Sequence, residues 1–178
     1  MIYFINKLSG TLHFYGIEVW FLLFNLLTGK KNWVVRKFNG KTIVFITGTQ
    51  GSLTTNRRTG GSPALAIPTF FGGIVYAEVG TPDGVVLHEV GHIVEPAAQV
   101  RRLVFNPAML HGKDSSIEEL AADDFSVANG GGAELKKFLI ESRAALIMYL
   151  CTSKSMSVEA AEDWICGHTD YNLRISRL

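Results

Sequence analysis

Hydrophobic and polar positions alternate in short runs between residues 33 and 79, then give way from residue 82 onward to helical spacing. Trp33 to Phe38 and Lys41 to Thr47 are rich in β-branched and aromatic residues. Asn39-Gly40 between them is the pair best suited to a type I′ turn, so a hairpin is predicted. Ala64 to Val79 reads as one or two further strands, interrupted at Pro68 and at Gly72-Gly73, the second being Ile74 to Val79. A helix is predicted from Pro82 to about Val94, with Thr81 as N-cap, Asp83 at the positive end of the helix dipole, and Pro96 as the stop. A second starts at Ser115 or Ser116, where Glu118 or Glu119 can close a capping box, and runs to about Asn129 before a run of three glycines. A third, Ala133 to Leu150, shows an apolar face of Leu135, Phe138, Leu139, Leu146, Ile147 and Leu150. A last short helix covers about Val158 to Cys166. Strands come first and helices afterwards, so the class is α+β: a small mixed or antiparallel sheet packed on the helix at 82–94, with a helical C-terminal half.

Ahead of the hairpin lies an apolar run, Phe14 to Leu27, most of it inside a predicted helix over 16–28 that stops at Gly29. Fourteen residues is short of the roughly 20 that a transmembrane helix needs, and no small-x-small cleavage site follows as in a signal peptide. The run reads as a buried element, or as a segment at 14–27 that docks on a membrane surface or a partner. Gly48 to Pro63, rich in Gly, Thr, Asn and Arg, reads as a surface loop carrying Arg57 and Arg58.

A length of 178 residues suits one domain, with residues 1–81 as its helix-and-sheet part and 82–178 as its helical part. Apolar residues at 47% against 19% charged exclude a disordered chain. A net charge of +1 excludes a dedicated nucleic-acid binder. Two cysteines, Cys151 and Cys166, cannot form a disulfide framework or a four-cysteine zinc site. One disulfide between them is compatible with the sequence, but the usage fits a reducing compartment, so the expectation is a soluble, cytoplasmic protein.

The chemistry concentrates in His88-Glu89-Val90-Gly91-His92. Residues four apart on a helix differ by about 40° in azimuth and 6 Å in height, so both imidazoles project from one face at the separation one zinc ion needs. Glu89 lies at the edge of that face, where a carboxylate reaches a zinc-activated water as general base. The plain alternative is a helix with two hydrogen-bonded histidines. Against it, Val85, Val86, Leu87, Val90, Ile93 and Val94 make the helix apolar on most sides, and burying two imidazoles and a carboxylate is costly without a partner.

A hydrolytic zinc site wants a third protein ligand and an open position. The metzincin extension is excluded, because Glu95 and Ala98 stand where Gly and His would be required. His111, Asp114, Glu118, Glu119, Asp123 and Asp124 are the candidates. Glu119 and Asp123 fit best: they share a helical face, and Ala121-Ala122 between them lets the two helices approach. Glu119 would ligate zinc while Asp123 accepts a hydrogen bond from a ligating imidazole.

His88-Glu89-x-x-His92, Glu119-x-x-Ala122-Asp123 and Gly130-Gly131 together resemble the gluzincin metalloproteases related to the CAAX prenyl protease and the heat-shock membrane protease. His168-Thr169-Asp170-Tyr171-Asn172-Leu173-Arg174-Ile175 has the spacing of that family's His-Pro-x-x-x-x-Arg-Ile stretch, with Thr169 replacing the proline. The resemblance spans residues 82–178 and implies a zincin-like fold, one zinc per chain, Glu119 as third ligand, Asp123 in support, and His168 or Arg174 near the substrate. The family's transmembrane helices are lacking, Ser126 stands at the small position before the glycine pair, and the His-Pro pair is broken, which together suggest a soluble minimal member. The short linker from His92 to Glu119 also resembles stand-alone gluzincins linked to repressor cleavage, although that branch carries Ala-Asn where this chain has Ala122-Asp123.

The expected activity is hydrolysis of a peptide or protein substrate, with zinc held by His88, His92 and Glu119 and Glu89 as general base. His168 is the first choice to stabilise the oxyanion, with Tyr171 or Arg174 as substitutes. Tyr76, Tyr171 and Arg174 are the candidate substrate contacts, and the strand Ile74 to Val79 is expected either to pair with an extended substrate or to lie inside the sheet. The competing expectation is a non-catalytic, zincin-like binding or regulatory domain with a structural zinc.

Overall fold

The structure is a computed structural model that describes residues 33–48, 63–69, 72–96 and 115–178. The predicted helix at 16–28, the docking segment at 14–27, residues 49–62 of the predicted loop, and the ligand candidates His111 and Asp114 lie outside the described residues. Strands β1 (Trp33–Phe38) and β2 (Lys41–Gly48) form the predicted hairpin, paired from Trp33↔Ile46 to Phe38↔Lys41. Asn39 and Gly40 close it with φ of 46° and 77°, the two positive values that match a two-residue turn to the twist of its strands. Strands β3 (Ala64–Pro68) and β4 (Gly72–Glu78) are antiparallel, and β4 runs parallel to β2, from Thr42↔Gly72 to Gly48↔Glu78.

The sheet is therefore mixed, in the order β1-β2-β4-β3. This order corrects one alternative: β4 is internal, with a strand on either side of it, so its main-chain groups are engaged in ladders and it cannot take a substrate strand. Among the described residues β3 is the border strand nearest in sequence to the His-Glu helix.

Five helices follow: α1 (Asp83–Val94), α2 (Ser115–Ala128), α3 (Gly132–Lys154), α4 (Val158–His168) and α5 (Tyr171–Arg177). The class is α+β, as the order of patterns predicts. None of the helices among the described residues is long and apolar enough to cross a membrane, and both cysteines carry free thiols.

Alternation along the strands separates two apolar layers. Ile43, Ala66 and Val75 pack with Val90, Ile93 and Val94 of α1 and with Phe125 of α2. Val44, Ile46 and Ile74 cluster with Trp33, Ile67 and Tyr76, which by the same alternation belong to the opposite face of the sheet. α1 thus lies on one face of the sheet, and α2 closes over its other side.

The ends of α1 are held by long-range contacts rather than by the expected cap. Pro82 is the N-cap residue, while the Thr81 hydroxyl donates to the Glu78 carbonyl at 2.7 Å and caps nothing. Two connections hold that end instead. The Gly84 N–H, one of the first-turn donors without a helical acceptor, donates to Glu134 Oε2 at 3.0 Å, and the Ser126 hydroxyl donates to Gly84 O at 2.8 Å. At the other end Lys41 Nζ donates to Ile93 O at 2.7 Å and Val94 O at 3.1 Å, placing a cation at the negative end of the dipole.

α3 runs past the predicted Leu150 to Lys154 and stops where Ser155 takes a left-handed conformation with φ of 55°. α4 begins as predicted, with Ser157 Oγ accepting from the Ala160 N–H, and continues to His168. α5 is one element the periodicity does not predict, because seven residues are too few to display it.

Candidate metal centre

One residue between the two histidines sets how near α2 comes to α1. A Cβ on Gly91 would stand 2.9 Å from Ala122 Cα and 3.1 Å from Ala122 O, so the helices touch backbone to backbone. The alanine was legible as a close-packing residue; its glycine partner was overlooked, although a glycine inside an apolar helix is itself the signal for close approach. That contact brings Glu119 and Asp123, on the same stretch of α2 as Ala122, against His88 and His92.

The donor atoms converge. His88 Nε2 and His92 Nε2 are 3.1 Å apart, Glu119 Oε2 is 3.2 Å from the first, and Glu119 Oε1 is 3.4 Å from the second. A tetrahedral ion with metal–ligand distances of about 2.0–2.1 Å needs donors separated by about 3.3–3.4 Å along each edge. The three separations fall within a few tenths of an ångström of that edge, the two to Glu119 ending on different oxygens of its carboxylate. Two imidazoles and a carboxylate are also the donor set that zinc takes in hydrolytic sites. Among the described residues this is the one group of histidine, cysteine or acidic side chains that could hold a metal ion.

Behind the donors stands a second layer. His88 Nδ1 is 2.8 Å from Asp123 Oδ1; an ionised carboxylate only accepts, so Nδ1–H donates, and Nε2 is the atom left to bind a metal once its proton is displaced. This is the contact the sequence reading asks of Asp123. Arg174 of α5 closes the layer: Nε donates to Asp123 Oδ2 at 2.8 Å, NH2 to Asp123 Oδ1 at 2.8 Å, and NH1 reaches Glu119 Oε2 at 3.0 Å.

The charges shift together. Burial pushes the His88 imidazole down, but its hydrogen bonds to Asp123 and Glu119 outweigh that and raise its pKa to about 9. Burial likewise pushes Glu119 and Asp123 up. The hydrogen bonds from His88 and His92 overcome it at Glu119, and those from His88 and Arg174 overcome it at Asp123, so both carboxyls sit below their ordinary range. For Asp170 and Tyr171 burial wins, and both are pushed up even though the Arg174 charge pulls the other way.

Glu89 follows His88 on α1. It is buried, at 6% exposure, yet among the described residues its carboxylate makes no hydrogen bond or ion pair. A buried carboxylate next in sequence to a donor histidine and without a partner among the described residues suits a proton carrier.

Three sequence-stated contacts fall elsewhere. His168 ends α4, exposed; its Nδ1–H donates to Trp164 O at 2.8 Å and its ring stacks on Trp164 with centroids 4.6 Å apart. Among the described residues no hydrogen bond or ion pair joins it to the donor group, so the catalytic role expected of His168 finds no geometric support. Tyr76 packs with Val44 and Ile74 on the sheet face away from α1, which removes it from the expected substrate contacts. Arg174 is buried at 9% exposure with its guanidinium engaged by two carboxylates, so it braces the centre instead of facing a substrate. Tyr171 is half-buried and near enough to Arg174 and Glu119 for their charges to act on its phenol. Asp124 is exposed and pairs with Arg177, away from the donors.

Comparison with protein families, with curated proteins and with solved structures returned no match.

Proposed function

We propose that this protein is a zinc-dependent metallopeptidase of the gluzincin type, with a zincin-like arrangement in which the sheet backs the His88–His92 helix. The observation that carries the reading is the convergence of His88 Nε2, His92 Nε2 and the two oxygens of the Glu119 carboxylate, with separations of 3.1, 3.2 and 3.4 Å, on a helix where Glu89 follows His88 and has no hydrogen bond or ion pair among the described residues. His88, His92 and Glu119 would hold one zinc ion per chain, with Asp123 fixing the tautomer of His88. Bound zinc supplies Lewis acidity and lowers the pKa of a coordinated water to near 7.

The rest is the chain's own work. Glu89 accepts a proton during attack on the scissile carbonyl and returns it to the leaving amine. Of the three groups considered for the oxyanion, His168 is exposed and turned to Trp164 and Arg174 braces two carboxylates, while the Tyr171 phenol is near enough to Glu119 for its charge to act on it, which favours Tyr171. Among the described residues β3 has a neighbouring strand on one side only, the kind of edge an extended peptide can pair with, unlike its internal neighbour.

A purely structural zinc site has no use for Glu89, so that residue supplies the test. Glu89→Gln is expected to bind zinc as the parent does and to lose hydrolysis of a peptide library. Undiminished cleavage by the purified variant would end the mechanism, and a parent protein that binds no zinc in chelator-free buffer would end the site.

A further inference from the structure

Arg174 stands four residues from the end of the sequence, on a seven-residue helix, yet it is as buried as the donors and uses all three of its nitrogens on their support. Nε and NH2 grip the two oxygens of Asp123, each at 2.8 Å, in the planar two-point geometry that only a guanidinium offers. NH1 is then left pointing at Glu119 Oε2, 3.0 Å away. The same carboxylate faces both imidazoles, with Oε2 3.2 Å from His88 Nε2 and Oε1 3.4 Å from His92 Nε2.

We infer that Arg174 is a positioning residue that fixes the Glu119 carboxylate in the orientation the metal site needs. The inference rests on the proposed metal site and adds to it what holds the third ligand in place. The same guanidinium fixes Asp123, which fixes His88, so one side chain of α5 sets the orientation of two ligands on two other helices. Ligand separation in the sequence makes the point plain, since Arg174 lies 51 residues from Asp123. α5 is thereby a working part of the centre.

The test uses the full chain loaded with Co2+ in place of zinc, because the ligand-field absorption of cobalt is intense in four-coordinate sites and weak at higher coordination. The parent is expected to show the intense four-coordinate spectrum. Arg174→Lys keeps a positive charge beside Asp123 but cannot span both carboxylates, and its spectrum should weaken while cobalt affinity falls by about 10- to 100-fold. A folded Arg174→Lys protein with the parent's spectrum and affinity would overturn the proposal. Glu119→Gln separates the two readings: loss of cobalt there, with Arg174→Lys unchanged, keeps the metal site and discards the brace. A parent that takes up no cobalt discards both.

Discussion

A methyl group at Gly91 would press directly on the element that carries the third donor. The new Cβ would lie 2.9 Å from Ala122 Cα, 3.1 Å from Ala122 O and 3.2 Å from Phe125 Cβ. Carbon atoms settle at about 3.5–4.0 Å, and two of these neighbours are backbone, so no rotamer change relieves the overlap. α2 must withdraw from α1 by about 0.5–1 Å. Glu119 moves with it, and its oxygens now stand 3.2 and 3.4 Å from the imidazole nitrogens. Metal sites tolerate errors of only about 0.2 Å in ligand distance, so Gly91→Ala should weaken zinc binding by at least about tenfold. Stability should change less. Overpacking costs about 1–3 kcal/mol, and replacing a helical glycine returns about 1 kcal/mol, for a net loss of about 0–2 kcal/mol. Zinc titration against a competing chelating indicator measures the first quantity and urea unfolding the second. Parent-like zinc affinity in Gly91→Ala would refute the claim that this contact sets the site.

Gly167→Ala is the control, because nothing lies within 4 Å of its Cβ position; it should gain up to about 1 kcal/mol in urea unfolding and leave zinc affinity alone. Zinc must displace the proton that Asp123 and Glu119 hold on His88 against burial, so binding at pH 7 should release about one proton per ion and tighten as the pH rises toward about 9. Calorimetry in buffers of different ionisation enthalpy would show it, and zero release at pH 7 would count against the pairing. The sign for the metal-free fold is opposite: a pKa raised from 6.5 to about 9 gives stability that is full below 6.5 and lost as the pH climbs through 9. Lys41→Met removes both hydrogen bonds to the end of α1 and should cost about 1–2 kcal/mol in urea unfolding; a change under a few tenths would show that the lysine is not a cap. Tyr171→Phe should lower kcat by about 10²- to 10³-fold with zinc content unchanged, and an unaltered kcat would remove Tyr171 from the oxyanion site.

Local features were legible where the residue type alone decides the conformation. Asn39-Gly40 gives the hairpin, and His88 with His92 gives two imidazoles on one helical face, because turn chemistry and helical spacing act over a few residues. Glu119 and Asp123 were legible for the same reason, being four apart on one helix. What needed the folded chain is set by contacts distant in sequence. The order of strands depends on β4 entering between β2 and β3, which no alternation pattern encodes. Thr81 has the right chemistry for a cap, yet the Glu78 carbonyl competes for its hydroxyl and wins. For Arg174, a resemblance in spacing pointed to the right neighbourhood and the wrong partner: nothing in an Arg-Ile pair tells whether a guanidinium faces a substrate or two carboxylates. His168 matches the same stretch, and its stacking on Trp164 one turn earlier takes it away.

The outer rim of the sheet at β1 bears on how this protein behaves at high concentration. Val34 and Val35 are 50% and 48% exposed on a strand that, among the described residues, has a neighbour on one side only. Such a margin is a template for self-association through main-chain pairing. Arg36 and Lys37 follow at once, and like charges brought together by a second copy would repel it. Neutral residues at those two positions would turn a tolerated border into a seed for aggregates, so solubility here depends on two cations remote from the chemistry.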